Sequence, residues 1–430
     1  MCRHAAREQA ITDMDKGAPG NGETIPLQSV GEAGLSLLAE DIPLPVAIIK
    51  DRALRHNSAW MRKFIESRNV SIAPHGKTTM APDIFALQEA DGAWGITVST
   101  PHQIRVARHF GHNRIFVANQ IVGRAAIDYV FRALSEDADL QIYCIVDSVE
   151  NARELSRRGE AVNAGRPLNV LVEIGLPGLR TGCRTTEQAM AVAREISRLP
   201  HLALVGVEGF EGLVMGLPKD DRIRVANDLL RRMVETAETC SREGLFASSE
   251  ILLTAGGTAF FDLVADGLSS ARTREPVSVL LRSGCYITHD SIMYEKSQEQ
   301  FAEREPGVIA ELGRMEQALE IWAYVQSRPE PTRVIATLGK RDASYDDMPV
   351  PLSHYKPGST DKPAALGEGY IVRGLNDQHA YLDVPADSPL AVGDMIGFGI
   401  SHPCLTFDKW RLLYLVDDDY VVTGAIRTYF

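Results

Sequence analysis

The feature that most constrains this chain is an alternation repeated eight times: a short apolar run followed by a longer stretch with helical apolar spacing. The runs lie near residues 70–74, 95–98, 115–118, 140–146, 168–174, 202–208, 251–255 and 277–283. Strands separated by helices build parallel sheets, and eight such units are the number that closes a (β/α)8 TIM barrel. An earlier run, Pro45-Val-Ala-Ile-Ile-Lys50, is a ninth strand and is free to join another domain. After residue 305 the pattern changes to short, partly alternating runs split by Pro, Gly and Asp, at 319–325, 333–337, 368–373 and 414–418. Period-two alternation with turn residues predicts a C-terminal β domain. The expected organisation is α/β: a flexible N-terminal extension at 1–30, a leading segment at 31–69 whose strand joins the β domain, a barrel at 70–304 and a β domain at 305–430.

Composition narrows the function. With 430 residues, 45% hydrophobic and 24% charged, the chain supports two ordinary globular cores. A net charge of -12 argues against a nucleic-acid partner, which needs a basic face. No apolar stretch has the length of a signal peptide or membrane span, so no membrane partner is expected. The six cysteines, Cys2, Cys144, Cys183, Cys240, Cys285 and Cys404, lack framework spacing. A reducing, cytoplasmic setting follows.

Four segments carry candidate chemistry. In Ser71-Ile-Ala-Pro-His-Gly-Lys-Thr-Thr-Met80, Lys77 follows a strand end at once, at the rim where barrels place catalytic groups. A lysine amine there can form a Schiff base with a carbonyl. In Ile251-Leu-Leu-Thr-Ala-Gly-Gly-Thr-Ala259, Gly256 and Gly257 let backbone amides approach an anion, and Thr258 is placed to cap the next helix. Val279-Leu-Leu-Arg-Ser-Gly-Cys-Tyr286 is another strand with a polar tip, and Ser401-His-Pro-Cys-Leu405 lies far downstream. If the preceding β-like run continues, His402 and Cys404, at i and i+2, point to one face, and imidazole with thiolate makes a good zinc pair. Asp408, four positions on, reads as a solvated residue.

Together, from about residue 45 to 425, these segments resemble the fold-type III pyridoxal phosphate enzymes of the alanine racemase superfamily. The resemblance is to its branch of D-serine dehydratases (D-serine deaminases) and D-threonine aldolases. It implies an alanine racemase-like fold and pyridoxal 5'-phosphate as cofactor, with Lys77 as the Schiff-base lysine and catalytic base. It places His75 beside the cofactor, and Arg180, in Glu173-Ile-Gly-Leu-Pro-Gly-Leu-Arg-Thr-Gly182, near the phenolic oxygen. Gly256, Gly257 and Thr258 then cradle the phosphate, and Arg282, Gly284 and Tyr286 lie near the phosphate and pyridine ring. The lysine motif departs from many members, which continue Lys-Thr-His-Lys where this chain has Thr79 and Met80. His379 matches a β-domain segment that approaches the site.

The same resemblance makes His402 and Cys404 the ligands of zinc or another divalent metal, and the soft thiolate favours the dehydratase branch. The implied activity is a lyase reaction on a D-3-hydroxy amino acid, D-serine first, giving a keto acid and ammonia. A D-threonine-type aldolase giving glycine and an aldehyde is the alternative. A racemase, which needs a second base, and a non-catalytic cofactor carrier, which lacks the β domain, fit less well. The implied partners are a small D-amino acid and a second copy of the chain in a homodimer.

Overall fold

The computed structural model describes residues 10–430. Contacts divide the chain into two units: a barrel unit, Arg62–Lys77 with Gln88–Gly284, and a β unit made of the residues up to Met61, Thr78–Leu87 and Cys285–Phe430. This division does not follow the expected linear boundaries: residues 78–87 and 285–304 belong with the β strands. Among the described residues, no helix is long and apolar enough to cross a membrane.

Two short strands, β1 (Ala10–Ile11) and β2 (Ile25–Pro26), pair near the N-terminus, and β3 (Val46–Lys50) precedes the barrel. The barrel strands are β4 (Ser71–Ile72), β5 (Ile96–Val98), β6 (Arg114–Val117), β7 (Gln141–Val146), β8 (Leu168–Ile174), β9 (Leu202–Gly209), β10 (Ile251–Ala255) and β11 (Val277–Leu281). All eight expected strands are present, and neighbours in the sheet pair in parallel. The first is only two residues long, because Pro74 has no N–H to donate to a ladder. The remaining gap is closed by the carbonyls of Ile72 and Pro74, which accept from Trp94 N (2.7 Å) and Thr97 N (2.9 Å). One layer of side chains, including Ala73, Phe116, Ile145, Leu171, Val205, Leu252 and Leu280, fills the interior. The barrel is therefore a packed core with chemistry confined to its ends. Thr100, Ser148 and Thr185 start helices by accepting the amides of Gln103, Asn151 and Gln188, which fixes where each crossover leaves its strand.

In the β unit, β3 joins the C-terminal strands as expected. It runs antiparallel to β12 (Leu319–Glu330) and parallel to β19 (Leu412–Val416). The main sheet path also contains β13 (Arg333–Ala336), β14 (Val350–Tyr355), β15 (Ala364–Ala365), β16 (Ile371–Leu375), β17 (Ala380–Asp383) and β18 (Met395–Gly399), and β20 (Val422–Arg427) pairs with β19. Val46, Ile48, Trp322 and Tyr414 centre its core. Residues 1–9 of the expected flexible extension, with Cys2 and His4, lie outside the described residues. Residues 10–30 are built into the β unit: Ile11, Ala18 and Val30 are buried in its core, and Arg427 grips Asp15 with two hydrogen bonds, 2.7 and 2.8 Å. Their apolar residues are too sparse to show periodicity, so the sequence pattern does not reveal this packing.

Candidate active site

In the barrel unit, the residues singled out by sequence all follow strand C-terminal ends. A 3-10 turn, Gly76–Thr78, ends the short run after β4 and leaves Lys77 exposed to solvent. Two residues earlier, His75 Nε2 lies 3.3 Å from Ser99 Oγ, while Nδ1 is buried and has no partner among the described residues. Burial first, then the charges of Lys77 and Arg282, push this imidazole well below its ordinary range and keep it neutral.

Arg282 turns inward at the end of β11 and is 4% exposed. Its guanidinium donates to Glu208, to Thr254 Oγ1 (3.1 Å) and to Gly209 O (3.1 Å), and lies 5.1 Å from the Phe116 ring centre. Burial pushes the Glu208 carboxyl up to about 7 against the pull of Arg282. Its Oε2 is buried without a partner among the described residues. Next along the rim, burial also raises Glu173, although Thr181 (2.7 Å) and Gln120 donate to it.

Arg180 is exposed, with its guanidinium 4.9 Å from the Phe210 ring centre. Its loop is rigidly tied. Arg184 donates to the carbonyls of Thr181 and Arg180 (2.6 Å each), and Arg232 donates to those of Gly175 (3.0 Å) and Cys183 (3.1 Å). Gly182, at φ +98°, has no room for a side chain: a Cβ would lie 2.4 Å from Gly175 N.

After β10, the Gly256 and Gly257 amides are taken up by a side chain of the protein itself. Glu211 accepts from both, at 3.0 and 2.8 Å. Any Cβ on Gly257 would stand 2.8 Å from the Phe210 ring. Thr258 does not cap the next helix. That helix, Phe261–Leu268, starts later, with Phe260 at its cap position and no side-chain cap, because Ala259 and Phe260 are first drawn into the core. Gly284, buried, is the last residue of the barrel unit, and Tyr286, 2% exposed, belongs to the β unit.

Within the β unit, the premise that strand conformation continues through His402 and Cys404 fails. Strand β18 ends at Gly399, Pro403 has helical dihedrals, and Cys404–Phe407 form one helical turn. Proline's fixed φ suits that turn and removes an amide from the ladder. The two side chains nonetheless lie close enough to influence each other electrostatically. The other imidazole nitrogen, Nδ1, lies 2.7 Å from Asp346 Oδ2, and Ser401 Oγ donates to Asp346 Oδ1 at 3.0 Å. Cys404 first, then Asp346, raises His402 to about 9 against burial. Burial pushes the Asp346 carboxyl up, but His402 and Ser401 outweigh it and hold the group low.

Cys404 Sγ lies 3.6 Å from Cys285 Sγ and 3.5 Å from Thr78 Oγ1. The neighbouring Cys285 first, then His402 and Thr78, hold Cys404 well below an ordinary thiol against burial, and Cys404 with burial raises Cys285. Asp408 turns instead to Lys409, at 3.0 Å. His379 is exposed in the hairpin turn between β16 and β17.

The sequence reading missed Glu208, Glu211, Asp346 and the placement of Cys285. Two glutamates flanking an apolar strand end, in Val207-Glu-Gly-Phe-Glu211, are a readable sign of buried charge. Asp346 has no such sign, since it lies on a loop far from His402 in sequence. Cys144, Cys183 and Cys240, free and buried, have thiols pushed up to about 12 by burial, which makes them structural.

Strand order, rim chemistry and the added β unit define an alanine racemase-like protein. The family described as "Alanine racemase, N-terminal domain" matches residues 49–271, over half of the chain, and the chain belongs to that family. A second description, "Putative serine dehydratase domain", matches residues 318–416, which include His402 and Cys404. The chain is 25% identical to a D-threonine aldolase from Arthrobacter sp., with 88% of this chain and 90% of the relative covered. It is 24% identical to a D-threo-3-hydroxyaspartate dehydratase from Delftia sp. (strain HT23), with 90% and 96% covered. The fold is shared with D-threonine aldolase from Filomicrobium marinum (TM-score 0.73, 23% identity, 92% and 97% covered). It is also shared with the Delftia dehydratase (TM-score 0.69, 20% identity, 92% and 99% covered). One solved form of that dehydratase carries a histidine-to-alanine change; another, changed at a cysteine two positions on, is metal-free.

Pyridoxal phosphate is the cofactor this family implies, and the barrel rim fits it. The orphaned Nδ1 of His75 and Oε2 of Glu208 are buried polar atoms in want of partners, and the paired glycine amides converge on one carboxyl group. In the β unit, the residues that would hold a soft divalent metal are His402, whose imidazole a carboxylate orients from its far side, and Cys404 two positions on. Among the described residues, no three or more His, Cys, Asp or Glu are arranged, as packed, to enclose an ion.

Proposed function

We propose that this chain is a lyase acting on D-3-hydroxy amino acids, D-serine first, that eliminates the β-hydroxyl to leave a keto acid and ammonia. The observation that carries this reading is His402, with Asp346 2.7 Å behind its imidazole and Cys404 two positions on, a soft donor set suited to zinc. The match of this segment to the serine dehydratase description supports it.

Lys77 would hold the cofactor through its carbonyl carbon and would be the base that takes the substrate's α-hydrogen. Its exposure leaves the amine free to reach both. Pyridoxal phosphate, when bound, supplies the electron sink that acidifies that hydrogen. Neutral His75 adds no charge beside the ring, Arg282 is held in place by Glu208 and Thr254, and Arg180 offers a cation at the rim. Glycine amides and Thr258 would hold the phosphate, with Glu211 yielding its hydrogen bonds. His402 and Cys404 would hold a divalent metal, whose Lewis acidity favours departure of a hydroxyl. The assembly proposed is a homodimer, which light scattering checks.

The second reading, a D-threonine-type aldolase, is favoured by the likeness to the Arthrobacter aldolase. Purified enzyme should be incubated separately with D-serine, D-threonine and D-threo-3-hydroxyaspartate while keto acid, ammonia, glycine and aldehyde are measured. Keto acid and ammonia in equal amounts support the dehydratase. Glycine and acetaldehyde from D-threonine at a much higher rate replace it with the aldolase.

A further inference from the structure

The two glycine amides at the end of β10 already have an occupant. Glu211 opens the 3-10 turn Glu211–Gly216 that follows β9, and it is 0% exposed. Its carboxyl oxygens each accept one hydrogen bond, Oε2 from Gly256 N (3.0 Å) and Oε1 from Gly257 N (2.8 Å). Gly256 sits at φ +108°, a conformation that lets consecutive amides converge on one point, and Ser283 Oγ ties the loop down by donating to Gly257 O at 2.6 Å. Converging amides of this kind suit an oxyanion. Among the described residues, Glu211 forms no ion pair and no hydrogen bond besides these two.

Two amide hydrogen bonds are thin compensation for a carboxyl taken wholly out of water. A phosphate presents more oxygens and more charge to the same amides, and charge-assisted hydrogen bonds are the stronger ones. The turn carrying Glu211 is lightly anchored: glycines stand at 212 and 216, and besides Glu211 only Val214 in it is buried. Resting on the cofactor reading above, we propose that Glu211 is a built-in competitor of the cofactor's phosphate. Its carboxyl keeps the cradle in shape before loading, a phosphate displaces it, and the turn Glu211–Gly216 shifts with it. The competition weakens binding of the phosphorylated aldehyde and leaves pyridoxal untouched, since pyridoxal makes no demand on these amides.

Equilibrium dialysis of pyridoxal phosphate and of pyridoxal against wild type and Glu211→Gln reads the competition without turnover. Glutamine keeps the size but has one acceptor oxygen instead of two, which releases one amide. Glu211→Gln should bind pyridoxal phosphate about 3–10-fold tighter, the worth of one hydrogen bond, with pyridoxal unchanged. Affinity equal to wild type or weaker, or the same gain for pyridoxal, overturns the proposal. Hydrogen exchange on the wild-type protein, with inorganic phosphate as the probe, gives a reading that does not depend on the variant folding. Added phosphate should slow exchange in 256–258 and speed it in 211–217, and slower or unchanged exchange in 211–217 overturns the competition. No pyridoxal phosphate bound by wild type, or none trapped on Lys77 by borohydride, overturns the cofactor reading and the proposal with it.

Discussion

The barrel and β units solve the same problem, presenting polar groups from an apolar frame, in opposite ways. In the barrel unit, a hydrogen-bonded parallel ladder fixes where each strand ends, so His75, Lys77, Glu173, Glu208 and Arg282 share one rim although up to 207 residues separate them. In the β unit, the cluster comes from loops and single turns: Asp346 from a loop, Cys285 from a 3-10 turn, and His402 and Cys404 from a proline-initiated turn. The barrel buries charge, Arg282 against Glu208, whereas the β unit gathers sulfur and imidazole. The difference teaches that a strand-end site inherits its geometry from the fold, while a loop-built site depends on a few side-chain contacts.

The strongest test of this division removes one group from each unit. Lys77→Ala should lower kcat for D-serine by on the order of 10²–10⁴-fold or more and abolish borohydride trapping of the cofactor. The His402→Ala, Cys404→Ala double variant, or chelation, should also stop elimination while the cofactor's visible absorption persists. Loss of that absorption on chelation would show that the two groups are not independent.

Next in size is the buried pair. Glu208→Ala leaves Arg282 charged and unpaired inside the barrel, so denaturant unfolding should show a loss of about 3–5 kcal/mol. An equal loss from Asp346→Ala would break the contrast between a charge-buried barrel and a half-exposed loop site.

The same glutamate gives a pH signature. Its folded pKa, about 7, is above the ordinary 4.5, so the folded state holds the proton more tightly. The stability this contributes is complete below pH 4.5 and is lost as pH rises through 7. The stability of wild type minus that of Glu208→Gln should therefore fall by at most roughly 3 kcal/mol across that window. A difference that rises or stays flat in urea melts at a series of pH values would remove burial as the dominant influence on Glu208.

The smallest effect belongs to the loop site. Asp346→Asn keeps the shape but weakens orientation of the His402 ring, and zinc affinity measured by chelator competition should fall about 10–100-fold. Unchanged affinity would assign Asp346 to loop structure alone.

Much of the frame was legible. Eight apolar runs map onto β4–β11, and the early run at 45–50 becomes β3 in the β unit, because burying a strand in a sheet demands continuous apolar sequence. Rim candidates were legible too, since a polar residue placed straight after such a run sits at a strand end. Thr258 was misread as a cap because its two apolar successors delay the helix, and the order of residues 10–30 was hidden because single buried side chains leave no period.

The sequence by itself determined the order of elements and which residues end the barrel strands, because hydrophobic periodicity and turn residues are local properties. Only the tertiary structure decided that Glu211 fills the glycine cradle, that Glu208 accepts from Arg282, that Asp346 backs His402 and that Cys285 meets Cys404. Each of these is a contact between residues at least 45 positions apart in the chain. Such contacts obey distance and burial in three dimensions, which no local pattern in the chain encodes.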